Sequence, residues 1–189
     1  PGETASHVRR VGAYAAEMYH TIASRLGLSA RELKRRKDLM RIAAMLHDVG
    51  KVGISDTILA KPGRLTEEEY AVMQRHTVLG ASLFGSPSTD MDAWARDVAQ
   101  HHHQRFDGKG YPGLPEALAG GVSLAGEAIP LPARITAVAD VYDALVSKRV
   151  YKPPMPHEEA CSILRRDAGS HFDPQVVEAF ASIQDVVLA

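Results

Sequence analysis

Apolar residues recur at helical spacing along most of the chain, and this spacing predicts an all-α fold. The first predicted helix covers residues 3–26, with an inward face made of Val11, Ala15, Met18, Ile22 and Leu26. Thr66, followed by acidic residues, predicts a capping box at a later helix start. The same spacing predicts further helices over residues 30–47, 66–76 with a second run to 84, 91–101, 130–147, 157–167 and 174–187. No segment shows the alternation that is typical of a β-strand.

Histidine and acidic residues stand on the inward faces and at the ends of these predicted helices. The apolar face of the first helix leads back to His7 and then Glu3, and the second helix runs into His47-Asp48. Asp140 is the only charge on a face of small residues, and a buried carboxylate needs a cation or a metal. Taken singly, each of these residues also fits an ordinary role, such as that of a hydrogen-bonded or surface histidine.

A run of three histidines, His101 to His103, ends the helix over 91–101. Adjacent helical residues point in very different directions, so His102 and His103 can reach one metal only where the helix unwinds. The segment over 107–112 contains two glycines and a proline that cannot continue a helix. It therefore supplies the unwinding that a shared metal site requires.

The candidate metal ligands are five imidazoles and two carboxylates: His7, His47, Asp48, His76, His102, His103 and Asp140. This set is too large for one metal but suits two metals bridged by a carboxylate, a role that we assign to Asp48. Paired divalent metals activate water and stabilise the charge that develops during phosphoester hydrolysis. A ligand set without cysteine favours Fe or Mn, with Zn or Ni less favoured. Gly50 lets the backbone turn after the His-Asp pair, and Lys51 adds a fixed cation.

The composition is that of an ordinary globular domain, with 189 residues, 45% hydrophobic and 24% charged. A net charge of −1 excludes the broad positive field that attracts nucleic acid.

The single cysteine, Cys161, allows no internal disulfide, fits an apolar core and favours a reducing, cytoplasmic location. No apolar run has membrane-spanning length. Because the chain begins at Pro1-Gly2 without an initiator methionine, we expect a piece of a longer protein that lacks its upstream regulatory domain.

His47-Asp48 and a later string from His102 to Pro112 carry a family resemblance. With Gly110-Tyr111-Pro112 at the end of that string, they resemble the HD-GYP subgroup of the HD phosphohydrolase superfamily. The resemblance continues nearly end to end, through Lys61-Pro62-Gly63, Ala133-Arg134-Ile135, Asp140-Val141-Tyr142-Asp143-Ala144-Leu145 and His171-Phe172-Asp173-Pro174. The long string is specific, whereas a His-Asp pair alone is not.

This resemblance implies an all-α HD-domain helical bundle, one domain over residues 1–189, with a metal centre in its core. It implies hydrolysis of the bacterial second messenger cyclic di-GMP to pGpG, to GMP or to both. The seven candidate ligands match the family's metal positions, and Glu3 matches an extra ligand in members with three metals. Two or three divalent ions are therefore expected.

Other family positions surround the substrate. Asp48 and Lys51 match catalytic positions, with Lys51 assisting at the scissile phosphate. Arg149 and Lys152 match residues that bind substrate phosphate. Tyr111 lies in the signature loop, which lines the site and is implicated in docking to GGDEF-domain proteins. The resemblance also implies an upstream sensor or receiver domain, while formation of a homodimer stays open.

The chain departs from the family pattern at Gln104, where Glu is usual, at Phe106, where Trp is usual, and over 113–128, which is longer than usual. The longer segment borders the expected substrate pocket, where it can alter access. Two alternatives remain beside the main prediction. One is a cyclic-dinucleotide-binding module with little turnover that signals through a GGDEF protein. The other is a phosphodiesterase for a different substrate, such as cyclic GMP-AMP.

Overall fold

The computed structural model describes residues 5–113, 124–147 and 154–187, and these ranges are helical with no β-strand. In chain order the α-helices are α1 (Ala5–Ala23), α2 (Ala30–Met45), α3 (Asp56–Leu59), α4 (Glu67–Gln74), α5 (His76–Ser82), α6 (Asp90–His101), α7 (Leu131–Val146), α8 (His157–Arg166), α9 (Pro174–Ser182) and α10 (Gln184–Val187). Short 3₁₀ turns occur at Ser24–Leu26, Val49–Gly53 and Gly126–Ala128. The predicted all-α fold is confirmed.

Most predicted helix boundaries agree with the structure, and the differences have local causes. The first helix ends at Ala23, and Ser24–Leu26 forms a 3₁₀ turn before Gly27, whose φ is 66°. Leu26 is 62% exposed, so its predicted place on the inward face is wrong. The tighter 3₁₀ turn rotates it away from the apolar face of the α-helix. The helix over 174–187 is also broken at Ile183, which separates α9 from α10.

Polar caps fix where several helices begin. At α4 the Thr66 hydroxyl accepts the Glu69 N–H while the Glu69 carboxylate accepts the Thr66 N–H, so the predicted capping box is confirmed. Ser29 caps α2 and Thr89 caps α6 in a similar way. Each such cap replaces a hydrogen bond that the first helical turn lacks and contributes about 1 kcal/mol. The break between α4 and α5 falls at Arg75, directly before the candidate ligand His76.

Helix α1 lies at the centre of the bundle, where it packs against α2, α7 and α9. Val11 and Met18 of α1 are fully buried in one core with Met40 of α2 and Val138 of α7. Cys161 of α8 is buried in the same core, as predicted. Of the helices in the described ranges, none combines the length and the apolar character needed to cross a membrane.

Candidate metal centre

The seven ligands predicted from the sequence come together inside the bundle in two adjoining groups. Within each group the ligand atoms lie within 4.8 Å of one another. The first group is Asp48, His76, His102 and His103, and the second is His7, His47 and Asp140. Most of these residues stand at helix ends, whereas His7 and Asp140 face each other from α1 and α7.

Asp48 lies between the two groups. Its Oδ1 is 3.1 Å from His76 Nε2, and its Oδ2 is 3.2 Å from His47 Nε2. The Oδ1 of Asp140 is 3.9 Å from His47 Nε2 and 3.5 Å from His7 Nε2. The two carboxylate oxygens of Asp48 therefore face different groups, as a carboxylate that bridges two metals must.

Backbone carbonyls orient three of the imidazoles. The Nδ1 of His47 lies 2.8 Å from the Ala44 carbonyl oxygen, and the Nδ1 of His76 lies 2.7 Å from that of Met73. The Nδ1 of His102 lies 3.0 Å from the Val98 carbonyl oxygen. Because a carbonyl only accepts, each Nδ1 carries the proton and each Nε2 turns its lone pair towards the centre. This donor set fits divalent metal ions, since a metal-ligating histidine normally donates its other N–H to such a partner.

A carboxylate orients the fourth imidazole, that of His7. The Nδ1 of His7 lies 2.7 Å from Asp143 Oδ2, and Arg10 Nε lies 2.5 Å from Asp143 Oδ1. Asp143 is fully buried, and burial alone would raise its pKa, but the hydrogen bonds from His7 and Arg10 hold the pKa below its ordinary value. The carboxylate therefore stays charged and accepts the His7 N–H, which leaves Nε2 to face Asp140.

Burial also fixes the charge state of His102 and His103. Loss of solvent, helped by neighbouring imidazoles, lowers the pKa of His102 well below its ordinary value and the pKa of His103 to about 3. Both rings are therefore neutral near pH 7. Neutral imidazole is the form that binds a metal.

A family model described as an HD domain matches residues 3–176 of the chain. The chain belongs to the HD domain family. It is 41% identical over 192 residues to a cyclic di-GMP phosphodiesterase of Vibrio cholerae, covering 99% of this chain and 37% of that protein. It is 39% identical over 183 residues to a cyclic di-GMP phosphodiesterase of Thermotoga maritima, with coverages of 96% and 45%. It is 38% identical over 187 residues to 3′3′-cGAMP-specific phosphodiesterase 2 of Vibrio cholerae, with coverages of 99% and 33%.

This HD domain thus spans less than half the length of these relatives. The family match and the curated relatives confirm the resemblance that rested on His47-Asp48 and the Gly110-Tyr111-Pro112 string.

Two solved structures share the fold of this HD domain. The cyclic GMP-AMP specific phosphodiesterase V-cGAP3 of V. cholerae has a TM-score of 0.64 at 21% identity, covering 99% of this chain and 46% of that one. Bd1817, a HDG"Y"P protein from Bdellovibrio bacteriovorus, has a TM-score of 0.60 at 17% identity, with coverages of 94% and 52%. At such low identity these structures show the fold alone. They confirm the predicted HD-domain helical bundle.

The turn after the HD pair holds that pair against α5. Lys51 Nζ lies 2.7 Å from Asp48 Oδ2, so the predicted cation stands beside the centre. A Cβ on Gly50 would lie 1.9 Å from the carbonyl oxygen of His76 and 2.3 Å from the backbone nitrogen of Gly80. The φ of Gly50 is not positive, so this glycine is required by the close approach of two backbones rather than by an unusual turn.

The signature loop of the HD domain packs against His103. The Tyr111 ring stacks on the His103 imidazole, with centroids 4.7 Å apart and planes inclined by 28°. A Cβ on Gly110 would lie 2.4 Å from the His103 carbonyl oxygen, so only glycine allows this approach. Burial raises the pKa of the Tyr111 hydroxyl, which therefore remains a hydrogen-bond donor near neutral pH.

Gln104, where the family usually has Glu, is buried and uses both ends of its amide. Its Oε1 accepts the Gly113 N–H at 3.0 Å, and its Nε2 donates to the Leu124 carbonyl at 2.9 Å. Gly113 and Leu124 flank residues 114–123, so one side chain bonds the backbone on both sides of this part of the longer segment. An ionised Glu has no proton to donate to Leu124, which explains why an amide suits this position in this chain.

Sequence reasoning missed Asp143 and Arg10 as the residues that orient His7. A signal was present, because His7 and Arg10 are three residues apart on α1, as are Asp140 and Asp143 on α7. Residues three apart lie on the same face of a helix, so the two basic residues of one helix can contact the two acidic residues of a facing helix. Only the packing of α1 on α7 shows that they do.

Some predicted residues lie outside the part of the chain that the structure describes. These are Glu3, Arg149, Lys152 and residues 114–123 of the longer segment. The roles predicted for them stay predictions.

Proposed function

We propose that this HD domain is a metal-dependent phosphodiesterase that hydrolyses cyclic di-GMP to pGpG, GMP or both in bacterial signalling. The observation that carries this proposal is Asp48, placed between two groups of metal-ligand atoms. The names of the V. cholerae and T. maritima relatives support the choice of substrate. Because the chain spans less than half of those proteins, the activity is proposed for this domain on its own geometry.

The residues that would hold the metals are the seven ligands of the two groups. When bound, two divalent ions supply an activated water and neutralise the charge that develops on the phosphate. We propose Fe(II) or Mn(II), because imidazole and carboxylate without thiolate suit these ions. A third ion held with the help of Glu3 is part of the same proposal.

The chain's own residues then position the phosphodiester and handle protons. Asp48 keeps the two groups adjacent, and Lys51 places an ammonium 2.7 Å from Asp48 Oδ2, at the edge of the centre. The Lys51 side chain is 34% exposed, so it can meet a substrate that arrives from solvent. From there we propose that it donates to the departing 3′ oxygen. Arg149 and Lys152 are proposed to bind the phosphate, and Tyr111 offers a hydroxyl donor beside His103.

A second candidate substrate is cyclic GMP-AMP. It is favoured by the 38% identity to a cGAMP-specific relative, which is close to the 41% identity to a cyclic di-GMP phosphodiesterase. The remaining proposals concern the whole protein. They are contact with GGDEF-domain proteins through the Gly110-Tyr111-Pro112 loop, an upstream sensor or receiver domain, a homodimer and a cytoplasmic location.

Product analysis with an Asp48→Ala variant tests the proposed activity. Protein loaded anaerobically with Mn(II) or Fe(II) is incubated with cyclic di-GMP, and in a parallel reaction with cyclic GMP-AMP, before chromatography. We expect pGpG or GMP from the wild-type protein and a loss of at least about 100-fold in Asp48→Ala, because that variant removes the carboxylate whose two oxygens face the two groups. Asp38→Ala is the matched control, since Asp38 is an exposed carboxylate on α2.

Three results would change the conclusion. Turnover of cyclic GMP-AMP alone would transfer the proposal to that substrate. Binding of cyclic di-GMP without product by metal-filled protein would favour the binding module. Full turnover by Asp48→Ala would contradict the assigned role of Asp48.

A further inference from the structure

A cleft of about 500 Å³ opens directly beside the metal centre. The residues that matter for its chemistry are Tyr70, Gln74, His103, Arg105, Lys109 and Tyr111. His103 belongs both to the first ligand group and to the wall of this cleft. A molecule in the cleft therefore lies next to whatever the metal ligands hold.

Two aromatic rings form one side of the cleft. Tyr70 and Tyr111 meet edge to face, with ring centroids 6.3 Å apart. Tyr111 is occupied by its stack on His103, whereas Tyr70 is 48% exposed. A half-exposed ring beside cationic side chains is a platform on which a planar base can stack.

A fixed guanidinium and an ammonium form another part of the wall. Arg105 Nε and Nη2 lie 3.0 and 2.8 Å from the two carboxylate oxygens of Asp107. Asp107 Oδ1 also accepts the backbone N–H of Lys109 at 3.0 Å. These three bonds fix the orientation of the Arg105 guanidinium and the position of the Lys109 backbone. The guanidinium has five N–H donors, so those that do not bond Asp107 can donate to a ligand. The donors of Arg105 and Lys109 suit a ligand edge made of acceptors.

We propose that this cleft is the subsite for one guanine base of the substrate. Tyr70 stacks on the base, and Arg105 and Lys109 donate to its O6 and N7 acceptors. Guanine offers two acceptors on this edge, whereas adenine offers one acceptor and an amino donor that faces a cation unfavourably. Since His103 lines both places, one cyclic dinucleotide can place a phosphate at the metal ligands and a base in the cleft. The inference rests on the proposed function and extends it to base recognition.

Steady-state kinetics of Mn-loaded Tyr70→Ala and Tyr70→Phe test the stacking role. We expect Tyr70→Ala to raise KM for cyclic di-GMP by about ten-fold or more, because stacking on an aromatic ring contributes this much per base. The ratio of kcat/KM for cyclic di-GMP to that for bis(p-nitrophenyl) phosphate, a diester without bases, should fall by a similar factor. Tyr70→Phe keeps the ring and loses only the hydroxyl beside Tyr111, so its KM should stay much closer to the wild-type value than that of Tyr70→Ala. Val72→Ala is the matched control, because Val72 lies on the same helix outside the cleft and is 36% exposed.

A Lys109→Ala variant tests the choice of guanine. We expect its preference for cyclic di-GMP over cyclic di-AMP to fall several-fold, while Lys34→Ala, an exposed lysine on α2, keeps the wild-type preference. An unchanged KM in Tyr70→Ala would overturn the stacking role, and an unchanged preference in Lys109→Ala would overturn the guanine assignment.

Calorimetry separates this inference from the proposed activity. If the wild-type protein does not hydrolyse cyclic di-GMP, the proposed function fails, and the Kd of cyclic di-GMP for Mn-loaded wild type and Tyr70→Ala then tests the cleft alone. A weaker Kd in the variant supports the subsite. Equal Kd values, or no binding by either protein, overturn it.

Discussion

At the residue scale, the Gln104 side chain joins two backbone segments through hydrogen bonds that an ionised glutamate could not both make. Its amide connects Gly113 with Leu124, and this requires an acceptor at one end and a donor at the other. The departure from the family's usual Glu therefore has a local structural reason. Gln104 bonds two residues of the longer segment, so the two departures from the family pattern are connected.

A Gln104→Glu variant should destabilise this domain near neutral pH. The new carboxylate keeps the bond from Gly113 but faces the Leu124 carbonyl with a second acceptor, and we expect a loss of about 1–3 kcal/mol. At lower pH the buried carboxyl binds a proton and can donate to Leu124, so the loss should shrink. Urea unfolding of both proteins at pH 7.5 and pH 5 measures this difference. Equal deficits at the two pH values would argue against it.

At the element scale, helix ends position most of the candidate metal ligands. The carbonyls of Ala44, Met73 and Val98, in the last turns of α2, α4 and α6, each accept a histidine ring N–H in addition to a backbone N–H. The histidine bond aims the other ring nitrogen at the centre. These bonds explain why candidate ligands lie within two residues of the ends of α2, α4 and α6.

The contact between the Val49–Gly53 turn and α5 gives a prediction about Gly50. In Gly50→Ala the new Cβ meets the His76 carbonyl and the Gly80 backbone, which cannot rotate away as a side chain can. We expect the free energy of unfolding to fall by about 1–3 kcal/mol or more. We also expect weaker Mn(II) binding, because the turn must move Asp48 away from His76. Urea unfolding and metal titration measure both effects.

Gly53→Ala is the matched control for this prediction. It lies in the same turn, where a Cβ would meet only the Leu79 side chain at 3.0 Å. A Gly50→Ala variant as stable and as tight for metal as Gly53→Ala would contradict the explanation.

At the scale of the whole molecule, the bundle buries several imidazoles around one point. In the folded chain, burial lowers the pKa of His103 to about 3 and also lowers the pKa of His102, so both rings stay neutral as the pH falls below 6.5. An unfolded chain binds protons at these histidines below about pH 6.5. The free energy of unfolding of metal-free protein should therefore fall as the pH falls below 6.5, by up to about 1.4 kcal/mol per pH unit for each histidine.

Urea unfolding of chelator-treated protein at pH 7.5, 6.5 and 5.5 checks this prediction. Asp143 does not reverse the direction, because its depressed pKa also makes stability fall on acidification. Stability that stays constant or rises between pH 6.5 and 5.5 would show that the imidazoles are not kept neutral by the fold.

The sequence by itself determined the helical class, most helix positions and the seven candidate ligands. Helical spacing fixes which residues share a face, and the His-Asp pair with the Gly110-Tyr111-Pro112 string is specific to its family. The Thr66 capping box was readable because both its partners are local.

Only the tertiary structure decided what depends on contacts between distant segments. These are the pairing of His7 with Asp143, the approach of Gly50 to Gly80 and the two bonds of Gln104. The cleft beside His103 belongs with them, since Tyr70 comes from α4 and Arg105 from the segment after α6. Such contacts follow from how whole helices pack, and the spacing of residues within one helix does not contain that information.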